Sequence, residues 1–101
     1  MIPSTNLTPE LKRIKPIIVR ILKKNGVLQA GIFGSYARGQ QTKRSDIDIL
    51  VKTKKGTSLL DFIKIKHDAE RGLRTKVDLV EYSAIKPRIK EQILNDEVRI
   101  L

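Results

Sequence analysis

Residues 32–51, Ile-Phe-Gly-Ser-Tyr-Ala-Arg-Gly-Gln-Gln-Thr-Lys-Arg-Ser-Asp-Ile-Asp-Ile-Leu-Val, constrain the fold more than any other stretch. A short apolar run ends in Gly34-Ser35, a polar connection follows, and a second apolar run opens with Asp46-Ile47-Asp48. Side chains alternate faces along a strand, so Asp46 and Asp48 are expected on one face and Ile47, Ile49 and Val51 on the other. Two carboxylates on one face repel each other unless a cation sits between them. Mg²⁺ suits that pair, because it is commonly held by one or two carboxylates together with substrate phosphates. Gly34 lets backbone approach a ligand closely, and Ser35 at a strand-to-helix corner offers a hydroxyl and N–H groups to an anion. A corner that grips phosphate, followed by a strand that grips a metal, is the minimum equipment for moving a nucleotide.

Periodicity places helices and strands around this centre. Strands are expected at 27–33, 46–53 and 76–82. Thr8-Pro9-Glu10 reads as a helix start, and Leu11, Ile14, Ile18, Ile21 and Leu22 form one apolar stripe behind it. Pro16 interrupts the stripe and predicts a kink, or a short turn followed by a main helix from Pro16. Lys23-Lys24-Asn25-Gly26 closes the segment, and residues 1–7 read as a loose lead-in. Ser58 is expected to cap a helix ending near Gly72, with Leu59, Phe62, Ile63, Ile65, Lys66 and Ala69 making a partly apolar side and a basic back. A final helix is expected over 83–95, with Ile85, Ile89, Ile93 and Leu94 inward and Pro87 in its first turn. The short apolar run 98–101 fits an edge strand or a contact with a partner. The order is that of one α/β or α+β layered domain spanning 1–101.

The chain has no cysteine, which removes a disulfide framework and a zinc–thiolate site. It contains no apolar run of the roughly 18 residues a membrane span needs, and no basic-then-apolar leader, so a cytoplasmic location is expected. The formal charge of +10 favours anionic partners such as nucleotides, nucleic acid or an acidic protein surface. It is equally compatible with a solvated Lys-rich surface. The basic residues are scattered and lack interleaved aromatics for base stacking, so direct nucleic-acid binding is open but not favoured.

Gly34-Ser35, ten residues, then Asp46-x-Asp48 resembles the Gly-Ser-x10-Asp-x-Asp pattern of the DNA polymerase β-like nucleotidyltransferases. The fuller string Gly-Ser-Tyr-Ala-Arg-Gly…Ser-Asp-Ile-Asp is similar to the minimal nucleotidyltransferase branch, which includes antitoxins paired with HEPN-domain toxins. The resemblance implies a small mixed sheet of three to four strands with about four helices packed against it. It also implies a third catalytic acid on the strand after the third helix, which matches Asp78 better than Glu81. The residues alone leave Asp78 as either a metal ligand or an exposed acid on an edge strand, and strand parity sets Glu81 on the opposite face.

The implied site holds two Mg²⁺ ions on Asp46, Asp48 and Asp78, with Asp78 nearest the incoming hydroxyl. Gly34 and Ser35 would hold the β- and γ-phosphates of ATP, although Ser35 also fits an ordinary helix cap. Arg38 is a candidate for nucleotide binding, for a salt bridge that holds the loop, or for contact with a partner. Tyr36 fits either a base-stacking platform or a core position. A domain of this size has no room to hold an acceptor, so the acceptor is expected to arrive on another protein. The resemblance implies transfer of AMP from ATP to a tyrosine of a HEPN RNase toxin, which neutralises it. The alternative is a non-catalytic antitoxin that blocks the RNase by contact.

Overall fold

The apolar stripe of the first helix sets the layering of the fold: Leu11, Ile14, Ile18 and Leu22 are all buried. The structure, a computed structural model, describes residues 7–101. The lead-in expected at 1–7 lies outside the described residues apart from Leu7, which packs partly buried against the core. Helix α1 spans Pro9–Lys24, with Thr8 Oγ1 accepting the N–H of Leu11 at 3.2 Å. The helix runs through Pro16, so of the two expectations the short turn followed by a separate helix is not met. Pro16 and Lys12 are both exposed, so the carbonyl that the proline leaves without an intrahelical partner lies where water can serve it. Four buried side chains on the opposite face anchor both halves of the helix to the core.

Strand β1 (Gln29–Phe33) leads directly into the short helix α2 (Gly34–Arg38), and β2 (Ile47–Lys52) returns. Helix α3 (Leu59–Leu73) then crosses to β3 (Val77–Glu81), and α4 (Pro87–Asp96) leads into β4 (Val98–Arg99). The sheet order is β3-β2-β1-β4. β2 and β3 pair in parallel because the α3 crossover separates them, while β1 is antiparallel to both β2 and β4. Four helices and a four-stranded mixed sheet match the expected architecture, with residues 98–99 supplying the edge strand.

Alternation sorts the two faces of the sheet. Ala30, Ile32, Ile47, Ile49, Val51, Val77 and Leu79 join the α1 stripe and Ile65 and Ala69 of α3 in one aliphatic core. The opposite face carries Gly31, Phe33, Asp48, Leu50, Asp78 and Val80 by register. Leu50 is fully buried there, where a 3₁₀ turn at Tyr82–Ala84 lies against β2.

Two helices depart from their expected faces. Ser58 and Asp61 form a reciprocal capping box at the start of α3, yet Leu59 is 74% exposed and only the line Ile65–Ala69 is buried. The final helix starts at Pro87 and not near residue 83. Ile85 and Lys86 are extended, with ψ of 128° and 136°, since the residue before a proline disfavours the helical region. Ile85 is buried as expected, but α4 itself buries no side chain, and Ile89 and Leu94 are 48% and 39% exposed. Polar ties at its C-terminal end hold it instead. Arg38 pairs with Asp96, and the Tyr82 hydroxyl donates to Glu97. The Glu97 carboxylate lies over Gly31, where a Cβ would overlap it.

Candidate active site

The site is built where β1 turns into α2. Gly34 has φ +73°, in the left-handed region that favours glycine. Asp48 stands opposite Phe33 in the β1–β2 register, and its carboxylate reaches Gly34 so closely that a Cβ there would overlap Oδ2. Glycine is therefore required at residue 34 for two separate reasons. Phe33 occupies the N-cap position of α2 and has no side chain to cap with, so Ser35 lies inside the helix as its second residue and is not the cap. The helix ends at once, because Gly39 adopts φ +71° and the N–H of Gln40 donates to the Ser35 carbonyl at 2.8 Å.

The parallel β2–β3 pairing sets Asp48 beside Asp78. Asp48 is half-buried and Asp78 is exposed. Asp46 lies one residue before β2 begins and not in the strand, at the end of a connection closed by Ser45 Oγ accepting the Thr42 N–H at 2.9 Å. Burial pushes the Asp48 carboxyl up to about 6, the negative charges of Asp78 and Asp46 push it the same way, and Arg38 opposes them. One carboxylate thus feels two other acids and a guanidinium. Glu81 registers with Val51 on the other face, where its carboxylate accepts from Thr53 Oγ1 at 2.8 Å. That contact ties down the end of β2 and keeps Glu81 away from the acids.

Among the described residues no three His, Cys, Asp or Glu side chains converge tightly enough to enclose an ion. The donor chemistry still fits Mg²⁺. All the candidate ligands are oxygens, Asp48 is a carboxylate whose ionised form is disfavoured until a cation arrives, and Mg²⁺ completes its shell with phosphates and waters.

Arg38, the last residue of α2, donates from Nη1 to Asp96 Oδ2 at 2.8 Å and from Nε to Gln40 Oε1 at 3.1 Å. Of its three candidate roles, the salt bridge is the contact it makes. Tyr36 is buried in the core and is no stacking platform. Lys43 and Arg44 are exposed in the connection. Asp96 is the site-adjacent residue that the sequence reading missed. It lies 58 residues from Arg38, and no spacing or pattern links the two.

This chain is a nucleotidyltransferase, and the glycine–serine corner set against a strand carboxylate, with a second carboxylate on the neighbouring strand, is its candidate active site. It belongs to the polymerase β-type nucleotidyltransferase family, whose family model matches residues 17–101. It is 47% identical over 91 residues to a Methanocaldococcus jannaschii protein provisionally named a protein adenylyltransferase, covering 90% of this chain and 98% of that one. The protein adenylyltransferase MntA of Thermococcus cleftensis is 41% identical over 75 residues, covering 74% and 76%. A solved structure provisionally described as a minimal nucleotidyltransferase superposes with a TM-score of 0.77 at 31% identity, covering 88% of this chain and 91% of that one. A chain from the complex of tri-AMPylated Shewanella oneidensis HEPN toxin with MNT antitoxin shares the fold, with a TM-score of 0.70 at 20% identity, covering 89% and 71%.

Proposed function

We propose that this chain is an Mg²⁺-dependent antitoxin that transfers AMP from ATP to a tyrosine hydroxyl of a cognate HEPN RNase toxin in the cytoplasm, and so neutralises it. The observation that carries this reading is Asp48, held against Gly34 on one side and beside Asp78 on the other. Protein adenylyltransferase relatives support AMP as the transferred group, and the AMPylated toxin complex of the same fold supports a HEPN acceptor. No helix among the described residues is long and apolar enough to cross a membrane.

In this reading Gly34 and Ser35 hold the β- and γ-phosphates, and Asp46, Asp48 and Asp78 face the α-phosphate. Bound Mg²⁺ would neutralise the triphosphate and lower the pKa of the acceptor hydroxyl. The acceptor oxygen attacks the α-phosphorus as the bond to the bridging oxygen of the β-phosphate breaks. Pyrophosphate leaves, and the hydroxyl proton passes to the Asp78 carboxylate. The chain's contribution is positioning and charge complementarity, so none of its residues acts as a covalent nucleophile.

Asp78→Asn tests the reading, since it keeps size and hydrogen bonding but removes the base. Label transfer from α-labelled ATP to the toxin should fall by roughly 10²-fold or more. ATP binding and co-purification with the toxin should both survive. Unchanged transfer would remove Asp78 from the site. A mutant that neutralises the toxin in cells as well as wild type would favour the contact-blocking alternative.

A further inference from the structure

The Arg38–Asp96 contact joins the helix of the glycine–serine corner, α2, to α4. α2 is a single short helix that carries Gly34 and Ser35 at its start and Arg38 at its end, and α4 buries no side chain of its own. Arg38 is held from two directions: Gln40 Oε1 takes the Nε–H and Asp96 Oδ2 takes an Nη1–H. A guanidinium is planar with five N–H donors, so two anchors on different nitrogens fix its plane as well as its position. Nη2 has no hydrogen-bond partner among the described residues. Its two donors sit at the end of the same five-residue helix that opens with Gly34 and Ser35.

As a salt bridge alone the contact contributes little. The Arg38 and Asp96 side chains are 42% and 27% exposed, and partly exposed pairs are screened by solvent. What the contact does supply is order. Arg has one of the largest side-chain entropies, and an Arg that must find its pose only when an anion arrives pays that cost on binding.

We infer that Asp96 is a positioning residue, which holds the Arg38 guanidinium ready for the phosphates of a nucleoside triphosphate bound at the Gly34–Ser35 corner. The inference rests on the proposed nucleotide site and adds to it a residue from the far end of α4. Asp96 acts through Arg38 and touches no phosphate itself.

The test is a thermodynamic cycle read by calorimetric ATP binding, together with the NMR signal of the Arg38 Nε–H in the nucleotide-free chain. Asp96→Ala should raise the Kd for ATP roughly 2- to 10-fold, the range for ordering one rotamer-rich side chain on binding. It should also change the Arg38 Nε–H signal from slowly exchanging to solvent-averaged. Asp96→Asn keeps an oxygen facing Nη1, so its ATP affinity should stay within about twofold of wild type. In an Arg38→Ala background, adding Asp96→Ala should change ATP affinity no further.

Equal weakening by Asp96→Ala with and without Arg38 would make Asp96 merely structural and overturn the inference. Tighter ATP binding in both Asp96 variants would overturn it too, by showing that Asp96 competes with phosphate. An Arg38 Nε–H already averaged in the wild-type chain would do the same. If Asp96→Ala does not fold, the Arg38 signals of wild type and Asp96→Asn decide. Failure of wild type to bind ATP would overturn the site reading, whereas the Arg38 signal reports separately whether Asp96 orders the side chain.

Discussion

Asp48→Asn separates the charge of the central acid from its shape. The Asp48 carboxyl is raised from 3.8 to about 6, first by burial and then by the charges of Asp78 and Asp46. A carboxyl whose pKa rises on folding binds its proton more tightly in the folded than in the unfolded chain. Stability is therefore lost as pH climbs from about 4 through about 6, and the penalty is complete above that window. A shift of about two units corresponds to ~3 kcal/mol for a fully buried group. Asp48 is only half-buried, and solvent screening reduces its share to ~1 kcal/mol.

The asparagine variant should accordingly be more stable than wild type by ~1 kcal/mol at pH 7.5 in the presence of a chelator. For a domain of this size that is a Tm higher by about 4–8 °C. At pH 4, where Asp48 is protonated in the folded chain and nearly half protonated in the unfolded one, most of the gap should close. Added Mg²⁺ should raise the wild-type Tm at pH 7.5 and leave the variant nearly unmoved. Thermal unfolding followed by circular dichroism at pH 4, 5, 6 and 7.5 measures all of this. A variant less stable than wild type at pH 7.5, or a gap of the same size at pH 4, would refute the account of Asp48 as a repelled acid.

Gly34→Ala should destabilise the fold by at least ~1 kcal/mol, because alanine is strained at φ +73° and its Cβ displaces the Asp48 carboxylate. The same melts should show less of the stability loss between pH 4 and 6, since Asp48 moves towards solvent. Ser35→Ala should weaken ATP binding roughly 10-fold or more, about what one lost hydrogen bond to a charged group costs, with little effect on AMP. Calorimetry with both nucleotides checks this, and a large loss for AMP with ATP unchanged would misplace Ser35.

Much of this was legible in the sequence because strands and helices announce themselves by period. Ile47, Ile49 and Val51 face the core as their alternation requires, and parity correctly separated Glu81 from Asp78. The Gly34-to-Asp48 spacing brought the corner and the strand together, and the structure adds that Gly34 is obligatory because Asp48 fills the space a Cβ would take. What stayed hidden was long-range and polar. Pro16 does not divide its helix, because local propensity is a weak rule once four buried side chains hold a helix together. The apolar residues of α4 were assigned inward on period alone, but the helix is placed by Asp96 and Glu97, whose partners lie in distant parts of the chain. Charged side chains carry no periodic signal of whom they will meet.

The ties made by residues 96–100 have a consequence during synthesis. Asp96 reaches back 58 residues to Arg38, Glu97 covers Gly31, Val98 and Arg99 pair with β1, and Ile100 enters the core. A ribosome delivers Gly31 and Arg38 long before any of these partners. Until they emerge, β1 has an open edge with unpaired backbone N–H and C=O groups, and Gly31 has no carboxylate above it. An uncovered strand edge recruits other chains as readily as its own. The nascent protein is therefore most prone to mispairing in the interval between completion of the β1–β2 hairpin and arrival of Val98, and conditions that slow translation there should increase aggregation.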